Sequence, residues 1–183
     1  ELEFYQGSNV FIDSVPGEAG NNALHILARQ ESGANIVDQW GNPLDYTSGR
    51  INSKSEVSMQ FGMVETRVRI PNLDLGGWPA FWLLGTSNYT WPRCGELDMM
   101  EMGHKKTVRD QHDTHNGGSG QNNSTVNQMV ASNAMFYDAG SINTGNPLGA
   151  ASTAWDPQDV NFRPYYDQTN GLVDRFLIYR MYW

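Results

Sequence analysis

Residues 95–103 read GELDMMEMG and set three carboxylates, Glu96, Asp98 and Glu101, among Leu97, Met99, Met100 and Met102. Bounded by Gly95 and Gly103, the run between them is too short for a typical helix and long enough for a strand. In a regular strand of period 2, Glu96 and Asp98 share a face, whereas Glu101, an odd number of positions further on, points the other way. One extra residue at Met99–Met100, a β-bulge, returns Glu101 to the face of the other two acids. Leu97, one of the two methionines and Met102 then face a core. Acidic and apolar residues separate by face only with that bulge, so the stretch predicts one.

The remaining chain gives further short extended pieces between Gly, Pro and Asn: NVFIDSV (9–15), ALHILARQ (23–30), RINSKSEVSMQ (50–60), GMVETRVRIP (62–71), AFWLLGT (80–86) and DRFLIYRMYW (174–183). In MVETRVRI, Met63, Glu65, Arg67 and Arg69 fall on one face and Val64, Thr66, Val68 and Ile70 on the other, the pattern of a half-buried strand. With 183 residues, 39% hydrophobic and 11% aromatic, the chain can close a core as one domain, and its 19 glycines and abundant Asn, Ser and Thr suit strands and turns. The expected class is all-β. No repeat or shift of composition marks a domain boundary. Residues 116–171 carry dense turn signals (NGGSGQNNSTVNQ, DAGSINTGNPLGAAS) and are expected to be mostly loop, shaping one rim of a binding surface.

A net charge of −8 with 12 basic residues argues against a nucleic-acid partner. No apolar run approaches the ~20 residues of a membrane span. ELEFYQGSNV lacks the basic and apolar regions of a signal peptide. The single Cys94 has no internal disulfide partner and leaves the redox compartment open.

Two carboxylates on one open face suit glycoside hydrolysis, in which one attacks the anomeric carbon and the other protonates the leaving oxygen and then activates water. A third acid between them raises its neighbours' proton affinity by like-charge repulsion. The same triad also reads as a solvated acidic strand face or an oxygen-rich calcium site. Trp78 and Trp82 of GGWPAFWLLG and Trp91 of TWPRCGELD crowd the acids, and flat indoles stack on sugar faces, which fits a saccharide groove. Phe81 and one of these tryptophans are expected in the core.

YTSGRINSK, FGMVETRVRIP, GGWPAFWLLG, WPRCGELDMMEMG, the TH at 114–115 and DRFLIYRMYW together resemble glycoside hydrolase family sixteen, and within it the laminarinase-like endo-β-1,3-glucanases. The motifs keep the family's order and spacing over nearly the whole chain. The resemblance implies a curved, jelly-roll type β-sandwich of two antiparallel sheets with a concave substrate cleft, and a retaining mechanism. Glu96 would be the nucleophile, Asp98 its helper and Glu101 the acid/base. Arg50, Trp78 and Trp82 look like cleft residues, and His115 like the histidine on the strand after the acids. His104, in the basic turn GHKK, is expected in a solvated loop.

Against the family, the chain looks cut at both ends, so residues 1–183 are expected to form a single catalytic domain lacking strands at either end. Its acidic charge disfavours sulfated polymers. A β-1,3-glucan is therefore the expected substrate, ahead of agarose or another galactan. The expected protein is a secreted monomer that binds a polysaccharide, needs no cofactor or catalytic metal and is compatible with a structural calcium. A non-catalytic carbohydrate-binding sandwich and a calcium-stabilised structural domain are the readings from other classes.

Overall fold

The computed structural model describes residues 3–31, 36–115, 124–140, 148–155 and 171–183, with the side chains of 113–115 outside that description. The chain falls into two compact units, Glu1–Val57 and Ser58–Trp183. Strands dominate both, as the composition predicts.

The first unit holds β1 (Glu3–Tyr5), β2 (Val10–Ser14), β3 (Asn22–Ile26), β4 (Arg29–Gln30) and β5 (Tyr46–Ser48). β2 and β3 form an antiparallel hairpin, and β5 lies between β1 and β4. The β1–β5 pair is parallel, a departure from the purely antiparallel pairing expected. A buried polar knot joins these pieces. Asn9 Nδ2 donates to Thr47 Oγ1 at 2.9 Å and to the Leu27 carbonyl at 3.2 Å. The Thr47 hydroxyl in turn donates to Glu31 Oε1 at 2.7 Å. Such satisfied buried groups fix one arrangement of short strands that bury little apolar surface themselves.

Residues 50–60, expected to be extended, form no strand. Their polar side chains bond locally instead: Asn52 Oδ1 accepts the Lys54 N–H at 3.0 Å, and the Ser53 hydroxyl donates to the Val57 carbonyl at 3.0 Å. Local bonds of this kind compete with a sheet ladder.

The second unit is built on a four-stranded antiparallel sheet ordered β10-β9-β8-β7, from β7 (Ala80–Leu84), β8 (Glu96–Glu101), β9 (Val130–Tyr137) and β10 (Leu148–Trp155). β6 (Met63–Arg69) and β11 (Phe176–Tyr182) pair antiparallel as a second layer. Exposure alternates along β6 as its sequence predicts, with Val64, Thr66 and Val68 turned inward. Met100 and Met102 meet Ile70, Leu73, Val130, Leu172 and Val173 in the core, and Val68, Phe81, Trp155, Leu177 and Tyr179 pack around them.

One expectation is overturned here and another falls partly outside the described residues. Of the span 116–171, residues 116–123, 141–147 and 156–170 lie outside that description, while β9 and β10 within it supply half of the acid-bearing sheet. Their faces are built largely from Ala, Ser, Thr and Asn, so they lack the apolar signal of a strand while alternating in the right period. Residues 106–115 form helix α1 (Lys106–His115), so His115 closes a helix where the resemblance implied a strand. KTVRDQHDTH contains no Gly or Pro, and Lys106 Nζ meets Asp110 Oδ1 at 2.7 Å one helical turn on.

Candidate active site

The predicted bulge is present. β8 and β9 pair Asp98 with Asn133 and Glu101 with Ala131, so three steps on β8 match two on β9. Toward β7, Asp98 pairs with Trp82, Met100 with Phe81 and Glu101 with Ala80, which leaves Met99 as the additional residue. Pairing therefore places Glu96, Asp98 and Glu101 on one face, opposite Leu84, Trp82 and Ala80 of β7 and Met135, Asn133 and Ala131 of β9. Both bulge methionines are buried, whereas a single one was expected to face inward.

Indole N–H groups hold the outer two acids. Trp91 Nε1 donates to Glu96 Oε2 at 2.6 Å, and Trp78 Nε1 donates to Glu101 Oε1 at 2.9 Å. Both residues remain partly open to solvent, Trp91 49% and Trp78 55% exposed, while their N–H groups bind the carboxylates. Trp91 reaches Glu96 because the β7–β8 connection folds back on itself. The Gly85 N–H donates to the Gly95 carbonyl at 2.9 Å, and a Cβ on Gly85 would fall 1.7 Å from the Cys94 carbonyl oxygen, so only glycine fits there. Arg93 pins the same loop, its guanidinium 3.8 Å from the Tyr89 ring centroid and 5.4 Å from that of Tyr137 on β9.

Asn133 carries site geometry that the sequence reading did not single out. Its Nδ2 donates to Glu101 Oε2 at 2.8 Å and to Asp98 Oδ2 at 3.2 Å, bridging the two acids from the neighbouring strand. The alternation in VASNAMFY, with Ala131, Asn133 and Met135 on one face, is the signal that points to it.

Asp98 is only 3% exposed. Burial first, then the charges of Glu101 and Glu96, push its pKa up to about 7, against the opposing pull of the Asn133 bond. Its side chain also hydrogen-bonds Glu96. A protonated Asp98 donates in that bond, which leaves one negative charge on the pair in place of two.

His104 corrects a further expectation. It lies in no solvated loop but is 6% exposed, with its ring edge-on to Trp78 at 4.6 Å between centroids and 86° between planes. Burial holds its pKa below the ordinary histidine value, against the Glu101 charge and a bond to the Glu101 backbone. Trp82 stands on the acid face opposite Asp98. Phe81 packs against the core as expected. Arg50 belongs to the first unit, where its guanidinium lies 5.9 Å from the Tyr5 ring centroid. The side chain of His115 lies outside the described residues. Among the described residues, no group of three or more His, Cys, Asp or Glu is arranged to hold a metal ion.

Residues 19–173 match the family model described as the XgeA-like catalytic domain of glycoside hydrolase family 16. A keratan-sulfate endo-1,4-β-galactosidase of Sphingobacterium multivorum is 28% identical over 84% of this chain and 34% of its own length. Glucan endo-1,3-β-glucosidase A1 of Niallia circulans is 28% identical over 93% of this chain and 24% of its own. Among solved structures, a mixed-linkage glucan family 16 protein of Bacteroides ovatus, in complex with a G4G4G3G product, superposes with a TM-score of 0.65. That match covers 100% of this chain and 60% of the other at 23% identity, a likeness of fold. The chain thus spans about a third or less of the length of these two curated relatives. With a family model matching most of its length, the chain belongs to glycoside hydrolase family 16.

Proposed function

We propose that this chain forms the catalytic centre of a secreted, retaining endo-glycoside hydrolase that cleaves β-1,3-linked glucan by double displacement. The observation that carries the reading is the bulge at Met99–Met100, which lines up three carboxylates on one sheet face between two exposed indoles. A solvated acidic face has no use for that arrangement. A simple sugar-binding sandwich would use the rings but not the buried Asp98.

In the proposed reaction Glu96 attacks the anomeric carbon. Trp91 donates to Oε2 of this carboxylate and fixes its direction. Glu101 gives its proton to the leaving oxygen and then takes one from the water that hydrolyses the glycosyl-enzyme. Each oxygen of Glu101 accepts one N–H, from Trp78 and from Asn133, and keeps a further lone pair for this exchange. Asp98 lends its proton to the Glu96 bond in the resting state and so lowers the repulsion within the triad. The chemistry needs only these groups and water, with no cofactor. A polymeric glucan is met outside the cell, hence the secreted assignment.

A galactan substrate is the second reading, favoured by the similarity to the keratan-sulfate galactosidase. Product profiles on laminarin, mixed-linkage β-glucan, agarose and keratan sulfate discriminate the two. Proton NMR of fresh digests tests the mechanism: the first product is the β-anomer, formed with the two carboxyl groups about 5–5.5 Å apart. Release of the α-anomer would overturn the assignment of Glu96 as nucleophile.

A further inference from the structure

The turn after β8 is built into the wall behind Glu101. Gly103 has φ +98°, and a Cβ there would sit 2.1 Å from the Gly77 carbonyl oxygen and 3.6 Å from the Trp78 Cα. The two segments can touch only because position 103 lacks a side chain. The next residue, His104, is buried with its ring edge-on to the Trp78 indole. Its backbone is gripped from α1, where Arg109 Nη1 donates to the His104 carbonyl at 2.5 Å and Arg109 Nε donates to the Ser124 carbonyl at 2.9 Å. The His104 Nε2 atom is buried and has no hydrogen-bond partner among the described residues, a cost borne at a site where a hydrocarbon side chain would pack without one. The Trp78 residue is more than half exposed.

We propose that His104 is a positioning residue for Glu101: its ring braces the Trp78 indole so that the Nε1–H stays aimed at Glu101 Oε1, and Arg109 of α1 holds His104 in place. The role of Glu101 rests on the hydrolase reading above; the bracing does not. An edge-to-face pair of this geometry contributes beyond simple area burial and fixes ring orientation. A carboxylate that must deliver a proton to one oxygen of a bound sugar loses turnover when its direction drifts, even where binding is unchanged. Burial keeps the imidazole neutral and adds no charge beside the acid.

The test uses protein labelled with [15N]tryptophan. The six tryptophans give separate indole N–H signals, and Trp78→Phe identifies the one in question. At fixed pH this signal is expected to move when Glu101→Gln replaces the acceptor carboxylate, which reports the Nε1–H···Oε1 bond. In a His104→Asn background, which lacks the ring edge, Glu101→Gln is expected to leave the signal in place, whereas in a His104→Phe background, which restores an edge, it still moves it. In parallel, kcat on whichever of laminarin or mixed-linkage β-glucan the unsubstituted protein cleaves should fall about tenfold in His104→Asn. KM should stay within about twofold, and His104→Phe should recover most of the loss. If His104→Asn does not fold, His104→Leu replaces it, filling the space without a ring edge. A Trp78 signal that still follows Glu101 without the His104 ring would overturn the proposal. Absence of cleavage of laminarin, mixed-linkage β-glucan, agarose and keratan sulfate by the unsubstituted protein would overturn the hydrolase reading, while the indole signal still decides the bracing.

Discussion

At Asp98 two demands meet, burial and ionisation, and the result is a carboxyl that keeps its proton to about pH 7. The folded protein therefore binds a proton at this position that the unfolded chain gives up near pH 4. Stability from Asp98 is fully present below about pH 4 and is lost as pH rises through about 7. Thermal melts of the unsubstituted protein should accordingly lose more between those limits than melts of Asp98→Asn, whose amide cannot ionise; parallel curves would contradict the raised pKa. The same environment orders the catalytic variants. On the proposed mechanism, Glu96→Gln and Glu101→Gln each remove a bond-forming group and should lower kcat by several orders of magnitude, with oligosaccharide binding by calorimetry nearly intact. Asp98→Asn removes a neighbour that tunes protonation and should cost less. A Glu96→Gln protein with near-normal turnover would refute the assignment.

One inserted residue shapes β8. Deleting Met99 leaves Glu96, Asp98 and Glu101 alternating with Leu97, Met100 and Met102 in strict period 2, so the acids keep one face and lose only the local twist of the bulge. Turnover should fall through misplacement of Glu101 without vanishing, measured as kcat on the polymer that the unsubstituted protein cleaves. Met100→Ala is the control: it opens a cavity in the same core, costing about 2–5 kcal/mol in urea denaturation, yet should leave the anomer of the product unchanged. β8 and β6 were legible from sequence because each sorts charged from apolar residues by face. β9 and β10 were not, because small residues that fit under neighbouring strands carry no contrast. α1 was missed because a family pattern around TH outweighed ten residues free of helix breakers. His104 was misjudged for a related reason: a histidine beside two lysines reads as surface, and only the approach of Gly103 to Gly77 shows that it is buried. The indole clamps on Glu96 and Glu101 follow from turns whose closure no periodicity encodes.

For the molecule as a whole, a net charge of −8 separates the two candidate substrate classes. A neutral β-glucan feels no long-range field, so its KM should hold constant as sodium chloride rises from about 0.02 to 0.5 M, over which the screening length shrinks severalfold. A sulfated galactan is repelled at low salt, and its KM should fall over the same range. Initial rates on both polymers check this, and a salt-sensitive KM on neutral glucan would count against the electrostatic argument. The pairing of β6 with β11 adds a constraint of another kind, one of timing. Gly62 and Trp183 exchange both backbone N–H···O bonds at 2.9 Å, closing a loop that contains every other strand of the second unit. Closing a loop tenfold longer than a hairpin costs about 2 kcal/mol more entropy. Leu177 and Tyr179 of β11 back the core beneath Met100 and Met102. During synthesis, the sheet that bears the acids therefore stands without its second layer until residues 176–182 leave the ribosome.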